Sequence, residues 1–192
     1  MRKAALANKD NQMILGLDVS TSITGISVID KNGEILLYEA WDMRNKRYFP
    51  DLWTKASFIE NKLRDLQVRK RFIIEKVYIE QSLQAFRPGF SSAKTILTLA
   101  KFNGIVSYIV KRTYDITPEY IGASSARKLC GIKVEKGKKA KQVVLEHLLE
   151  NEPAFKIKYT KQGNPKPGSY DMSDAIIIAR AGLELWKKQT NY

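Results

Sequence analysis

The chain has 192 residues, 44% of them apolar, which is enough for one domain with a full-sized core. Its 33 Lys and Arg outnumber 20 Asp and Glu, and a formal charge of +13 points to a polyanion: nucleic acid first, an anionic membrane second. No apolar stretch of ~18 residues and no signal-peptide core is present, so a spanning or exported chain is not expected, and a single cysteine excludes an internal disulfide and fits an intracellular, reducing compartment.

Residues 1–12 are polar and basic without periodicity and read as a flexible arm ahead of a single domain over 13–192. Residues 13–19 are an apolar run, read as a strand buried on both faces. Residues 23–30 and 34–40 read as two further strands, joined by Asp30-Lys31-Asn32-Gly33, an Asn-Gly hairpin signal. Residues 51–70 space Leu52, Ala56, Ile59, Leu63 and Leu66 along one helical face. A strand is expected over 72–80, a loop over 82–90 around Pro88-Gly89, and a long helix over 91–111, capped by Ser91 or Ser92. That helix carries a stripe of Ile96, Leu99, Ala100, Asn103, Val106 and Val110, suited to a core or in part to a partner. A short strand over 116–121, helices over 124–129 and 138–150, a flexible loop over 160–169 and a last helix over 172–188 complete the chain. Three hairpin-joined strands followed by alternating helices and strands make an α/β fold: a mixed five-stranded sheet, an antiparallel meander plus parallel strands, with helices on its faces.

One charge stands out against this pattern. Asp18 lies inside the apolar run of the first strand, where an unpaired carboxylate costs several kcal/mol in order of magnitude. Glu80 ends another apolar strand, and Asp171 and Asp174, three apart, open an apolar helix on one side of its first turn. Taken singly, Glu80 fits a surface strand end, and the two aspartates fit helix-capping positions worth ~1 kcal/mol. Taken together, the four give oxygen donors without His or Cys, a set suited to hard cations such as Mg²⁺ or Mn²⁺. Two such ions would serve phosphodiester hydrolysis, and the basic surface would hold the polyanion over the acids.

Lys136, Lys138, Lys139 and Lys141 precede or open a helix, where cations oppose the dipole; with Arg127 and Lys128 they read as phosphate contacts. Phe86 and Phe90 flank Arg87-Pro88-Gly89 and suit either local packing or stacking on bases at a branch point. Cys130, between Leu129 and Gly131, reads as a small core residue, and the lone His147 cannot build a His-based zinc site.

Ile14-Leu15-Gly16-Leu17-Asp18, Thr24-Gly25, Ile79-Glu80-Gln81 and Asp171-Met172-Ser173-Asp174-Ala175, in that order, resemble the motifs of the RuvC-type Holliday-junction resolvases of the RNase H-like superfamily. Ser125-Ala126-Arg127-Lys128 and the lysine run at 136–141 are similar as well, and the resemblance spans roughly 13–186. It implies an RNase H-like fold and a homodimer on four-way DNA junctions, nicking symmetrically with two Mg²⁺ ions per site and no small-molecule cofactor. It also implies that Asp18, Glu80, Asp171 and Asp174 are the catalytic, metal-holding tetrad. The chain departs from the cellular pattern at Val19-Ser20, where Pro-Gly is usual, and at Leu83, where a base-contacting aromatic is usual; Phe86 or Phe90 would substitute. Such divergence suggests a phage, viral or organellar relative.

Other classes compete. A general branched-DNA or flap nuclease, or another RNase H-like nuclease, would share the acids, and a non-catalytic DNA-binding module would not need them. The segment Gly16 to Gly25 also resembles the first phosphate loop of sugar kinases and actin-like ATPases, but a second phosphate loop and the greater length of that class are lacking.

Overall fold

The computed structural model describes residues 12–81 and 92–190. Strand β1 (Met13–Asp18) lies in the interior of a five-stranded sheet of order β3-β2-β1-β4-β5. It pairs antiparallel with β2 (Ile23–Asp30), which pairs antiparallel with β3 (Ile35–Asp42). On its other side it runs parallel to β4 (Ile74–Glu80), itself parallel to β5 (Glu119–Ile121). The mixed sheet expected from the sequence is thus present, meander and parallel strands included.

Alternation along β1 assigns its two faces. Leu15 and Leu17 join a buried cluster with residues of α1 (Leu52–Val68) and α2 (Ala93–Tyr114). Ile14 joins the opposite cluster, built with α3 (Ala123–Leu129), α4 (Ala140–Asn151) and α5 (Ser169–Thr190). Helices therefore cover both faces, which is why an interior strand reads as a continuous apolar run. Asp18 shares its face with Ile14 and Gly16, the face covered by α5.

Two glycines set how closely α5 approaches. A Cβ on Gly16 would collide with the carbonyl oxygen of Ala175 and lie 2.6 Å from the Ala179 nitrogen. A Cβ on Gly25 of β2 would collide with the Asp171 carbonyl. Only glycine lets the helix backbone rest directly on the two strands.

Several boundaries differ from expectation. Strand β3 runs on to Asp42 because Ile23 and Thr24 offer pairing partners there. Helix α2 is capped by Ser92 and continues to Tyr114, whose hydroxyl donates to the Leu63 carbonyl of α1 at 2.7 Å. The last helix begins at Ser169, three residues early, after Gly168 turns the chain at φ +93°. The stretch over 160–169 is a hydrogen-bonded turn rather than a loose loop: Thr160 N donates to Asn164 O at 2.8 Å, and Tyr159 bridges Pro165. The hairpin at 30–33 is as expected, with Gly33 at φ +91° and Asp30 Oδ1 accepting from Asn32 N and Glu34 N. The basic arm falls, but for residue 12, outside the described residues.

Candidate active site

Leu17 and Ile79 are register partners in the parallel β1–β4 pair. The next residues, Asp18 and Glu80, therefore end adjacent strands side by side, and period two turns both toward α5. From α5 comes Asp174, one helical turn past Asp171. One carboxylate oxygen each of Asp18, Glu80 and Asp174 lies within 4.8 Å of the others. Three segments separated along the chain converge as the sequence implied. Asp171 stays outside that trio and is half-buried; it raises the proton affinity of all three acids from a distance, and Arg44 and Asp42 act on it in turn. Its helix starts earlier than expected, so Asp171 falls inside the first turn, where it accepts from its own backbone N–H.

The acids are poorly hydrated. Burial, then the charge of Glu80, pushes the Asp18 carboxyl well above the usual carboxylate range. Burial and Asp174 push Glu80 up to about 7, and burial raises Asp174 and Asp171 as well. A cation from α4 offsets part of this: Lys141 Nζ lies 3.1 Å from Asp174 Oδ2 and 3.9 Å from Asp18 Oδ2. Burial disfavours the Lys141 charge, but Asp18 and Asp174 outweigh it and hold the ammonium protonated above its ordinary range. Asp18 Oδ2 is buried and has no hydrogen-bond partner. An orphaned carboxylate oxygen among three converging acids, all hard oxygen donors, fits a divalent cation. Asp18, Glu80 and Asp174 are the residues that would hold it.

The hydroxyl-rich turn after Asp18 closes on itself. Thr24 Oγ1 donates to Ser20 O at 2.9 Å and accepts from Ser20 N at 3.2 Å, so this threonine is spent on the turn and not offered to a phosphate.

The expected phosphate contacts divide. Arg127 on α3 lines a small cavity with Glu80 and Asp174 and lowers the proton affinity of both. With Lys128 and Lys133 it also lines a neighbouring cavity of about 400 Å³. Lys136, Lys138 and Lys139 are exposed ahead of α4; Lys138 pairs with Glu135 at 2.9 Å, and Lys139, at the N-cap, makes no side-chain bond to the helix. Lys141 sits in the acid cluster itself, a placement that sequence reasoning missed; its one signal was a cation at an unfavourable helix end. Phe86, Arg87 and Phe90 lie outside the described residues. Cys130 is half-buried, its thiol 3.6 Å from Ile177 O and pushed up to about 11 by burial, which fits a packing role.

No family model matches the chain. Crossover junction endodeoxyribonuclease RuvC of Aliarcobacter butzleri is 26% identical over 172 residues, covering 86% of this chain and 94% of that protein. Among solved structures, Thermus thermophilus RuvC in complex with a Holliday junction substrate superposes with a TM-score of 0.64 at 14% identity, over 93% of this chain and 97% of that one. The chain is thus similar to RuvC along most of its length. The yeast mitochondrial Holliday junction resolvase Ydc2 is similar in fold too, with a TM-score of 0.61 at 16% identity over 98% of this chain and 84% of its own.

Proposed function

We infer that this RuvC-type chain is a structure-selective endodeoxyribonuclease that resolves four-way DNA junctions by symmetric, metal-dependent nicking. The observation that carries the reading is the convergence of Asp18, Glu80 and Asp174 at one end of the sheet beside Lys141 and Arg127. Asp18, Glu80 and Asp174 would hold Mg²⁺, two ions per site with Mn²⁺ able to substitute, and Asp171 would support them from beside the trio. What such ions supply when bound is activation of water and neutralisation of charge on the departing oxygen. Lys141 neutralises the acids, and Arg127, Lys128, Lys136, Lys138 and Lys139 hold the phosphates on either side. Residues 13–192 act as one nuclease unit.

Symmetric cutting needs two sites, so the working form is a homodimer. The outer side of α2 suits a second copy: Leu97 is 61% and Tyr108 65% exposed, with Ala100 and Gly104 exposed between them. The lone half-buried thiol suits a reducing compartment, and among the described residues no helix is long and apolar enough to cross a membrane.

The test is cleavage with Mg²⁺ of an immobile four-way junction, a Y-fork, a flap and linear duplex, with Asp18→Asn as control. Paired nicks confined to the junction and absent from the control are expected. Equal cutting of forks and flaps would replace the reading with a general branched-DNA nuclease. Tight binding without any cutting would leave a DNA-binding module.

A further inference from the structure

The segment joining β3 to α1 lies at the acid end of the sheet, yet it supplies none of the converging acids or the cations beside them. Asp42 pairs with Ile23, and Met43 N donates to Ser22 O at 2.8 Å. The ammonium of Lys55, in the first turns of α1, donates to the Thr21 carbonyl. Both contacts fall on the turn that follows Asp18. The segment is rich in cations, Arg44, Lys46, Arg47 and Lys55, and its two acids are engaged. Asp42 receives Arg44 through bonds of 2.9 and 2.6 Å, and Asp51 caps α1 by accepting from Thr54 N at 2.8 Å.

Two large rings stand in water here. Tyr48 is 65% exposed and Trp53, in the first turn of α1, is 71% exposed. Their aromatic neighbours are not: Trp41 is buried, and Phe49 packs edge-to-face on Phe58 with ring centroids 5.1 Å apart. Nor does the segment dangle. Asn45 accepts from Arg47 N through its side chain at 3.0 Å and from Phe49 N through its carbonyl at 2.9 Å. Rings held on an ordered support lose little further freedom on binding. Exposed aromatic faces among cations, at the end of the sheet where a phosphodiester would be cut, match unstacked bases on a charged backbone.

We propose that Trp53 and Tyr48 form a base-stacking platform for unstacked nucleotides at the branch point, with Lys46 and Arg47 on the adjoining phosphates. The inference rests on the proposed function for the presence of branched DNA at the acids. In a stacked duplex interior each base face is covered by its neighbours, so the platform favours substrates with an open branch.

Tryptophan emission of full-length Asp18→Asn protein, titrated without metal against an immobile four-way junction, tests this. Of the three tryptophans Trp41 is buried and Trp186 half-buried, so a quench from stacking reports chiefly on Trp53. The quench should vanish in Trp53→Ala, with affinity falling about tenfold. Trp53→Phe should keep most of the affinity, Tyr48→Ala should lose part of it, and the salt slope should stay constant because no phosphate contact is removed. Unchanged affinity in Trp53→Ala and Tyr48→Ala, or equal losses for Trp53→Phe and Trp53→Ala, would overturn the platform. Wild-type junction cleavage is scored separately. Cleavage with unaffected variants defeats the platform alone, whereas a ring-dependent quench without any cleavage defeats the nuclease alone.

Discussion

The ammonium of Lys141 stands 3.1 Å from Asp174 Oδ2, so α4 delivers a cation into the cluster that α5 completes. In the metal-free protein this charge relieves repulsion among the acids. Because the lysine is more than half exposed, its contribution is modest, about 1 kcal/mol after screening. Lys141→Ala should lower the melting temperature at pH 8 by roughly 2–4 °C without metal, and by less in saturating Mg²⁺. Melting curves with and without Mg²⁺ measure this; equal shifts in both would mean that the lysine does not stand in for bound cation.

Removing the acids should separate chemistry from affinity. Asp18→Asn, Glu80→Gln and Asp174→Asn should abolish junction cleavage while leaving junction binding intact. Asp171→Asn, outside the trio, should cost only roughly 10–100-fold, as outer-shell partners of metal ligands do. Single-turnover cleavage beside gel-shift titration separates the cases. Near-wild-type cutting by any of the first three would reject the site.

The raised carboxyl pKa values fix the sign of the pH dependence. Each acid binds its proton more tightly folded than unfolded, so between the unfolded values near ~4 and the folded value the native state carries extra protons. Stability of metal-free protein should therefore fall as pH rises from about 4 through about 7, where Glu80 titrates. Glu80→Gln should flatten the fall. Metal competes with those protons, so Mg²⁺ affinity should climb over the same range. Calorimetry at several pH values checks both; stability rising toward pH 8 without metal would contradict the burial argument.

Gly25→Ala drives a methyl into the Asp171 carbonyl, and Gly16→Ala drives one into the backbone of α5 at Ala175 and Ala179. Each should cost about 1–3 kcal/mol through overpacking. Cleavage at a temperature where the variant is fully folded should fall further than stability predicts, because α5 carries Asp174. Full activity in a folded Gly25→Ala protein would show that the helix position tolerates the shift.

Replacing Lys136, Lys138 and Lys139 with Ala should weaken junction binding and flatten its salt dependence, by about one unit of log–log slope for each phosphate no longer neutralised. Filter binding from low to moderate salt reads the slope directly, and an unaltered slope would remove these lysines from the interface.

The fold was legible because its signals are local: apolar runs, the Asn-Gly turn at 32–33 and the stripe of α1 each act over a few residues. The start of α5 was not, since Gly163, Pro165, Pro167 and Gly168 read as loop and hide a helix that begins one residue after them. Asp18 and Glu80 announced themselves as charges on buried strands. The separation of Asp171 from Asp174 depends on the rotation of α5 against β1 and β2, which glycine contacts set and no periodicity reveals. Lys141 is a surface lysine in sequence and a partner of the acids only because α4 packs on α5.

The distance along the chain between Asp18 and Asp174 has a temporal side. Strands β1 and β4 are made before α5, so a growing chain holds Asp18 and Glu80 before the helix that completes the site exists. A molecule stalled or cleaved ahead of Ser169 would lack Asp174 and the helix that covers β1 and β2, and its cluster of acids would be incomplete. The proposed nuclease activity is thereby withheld until synthesis has passed through α5.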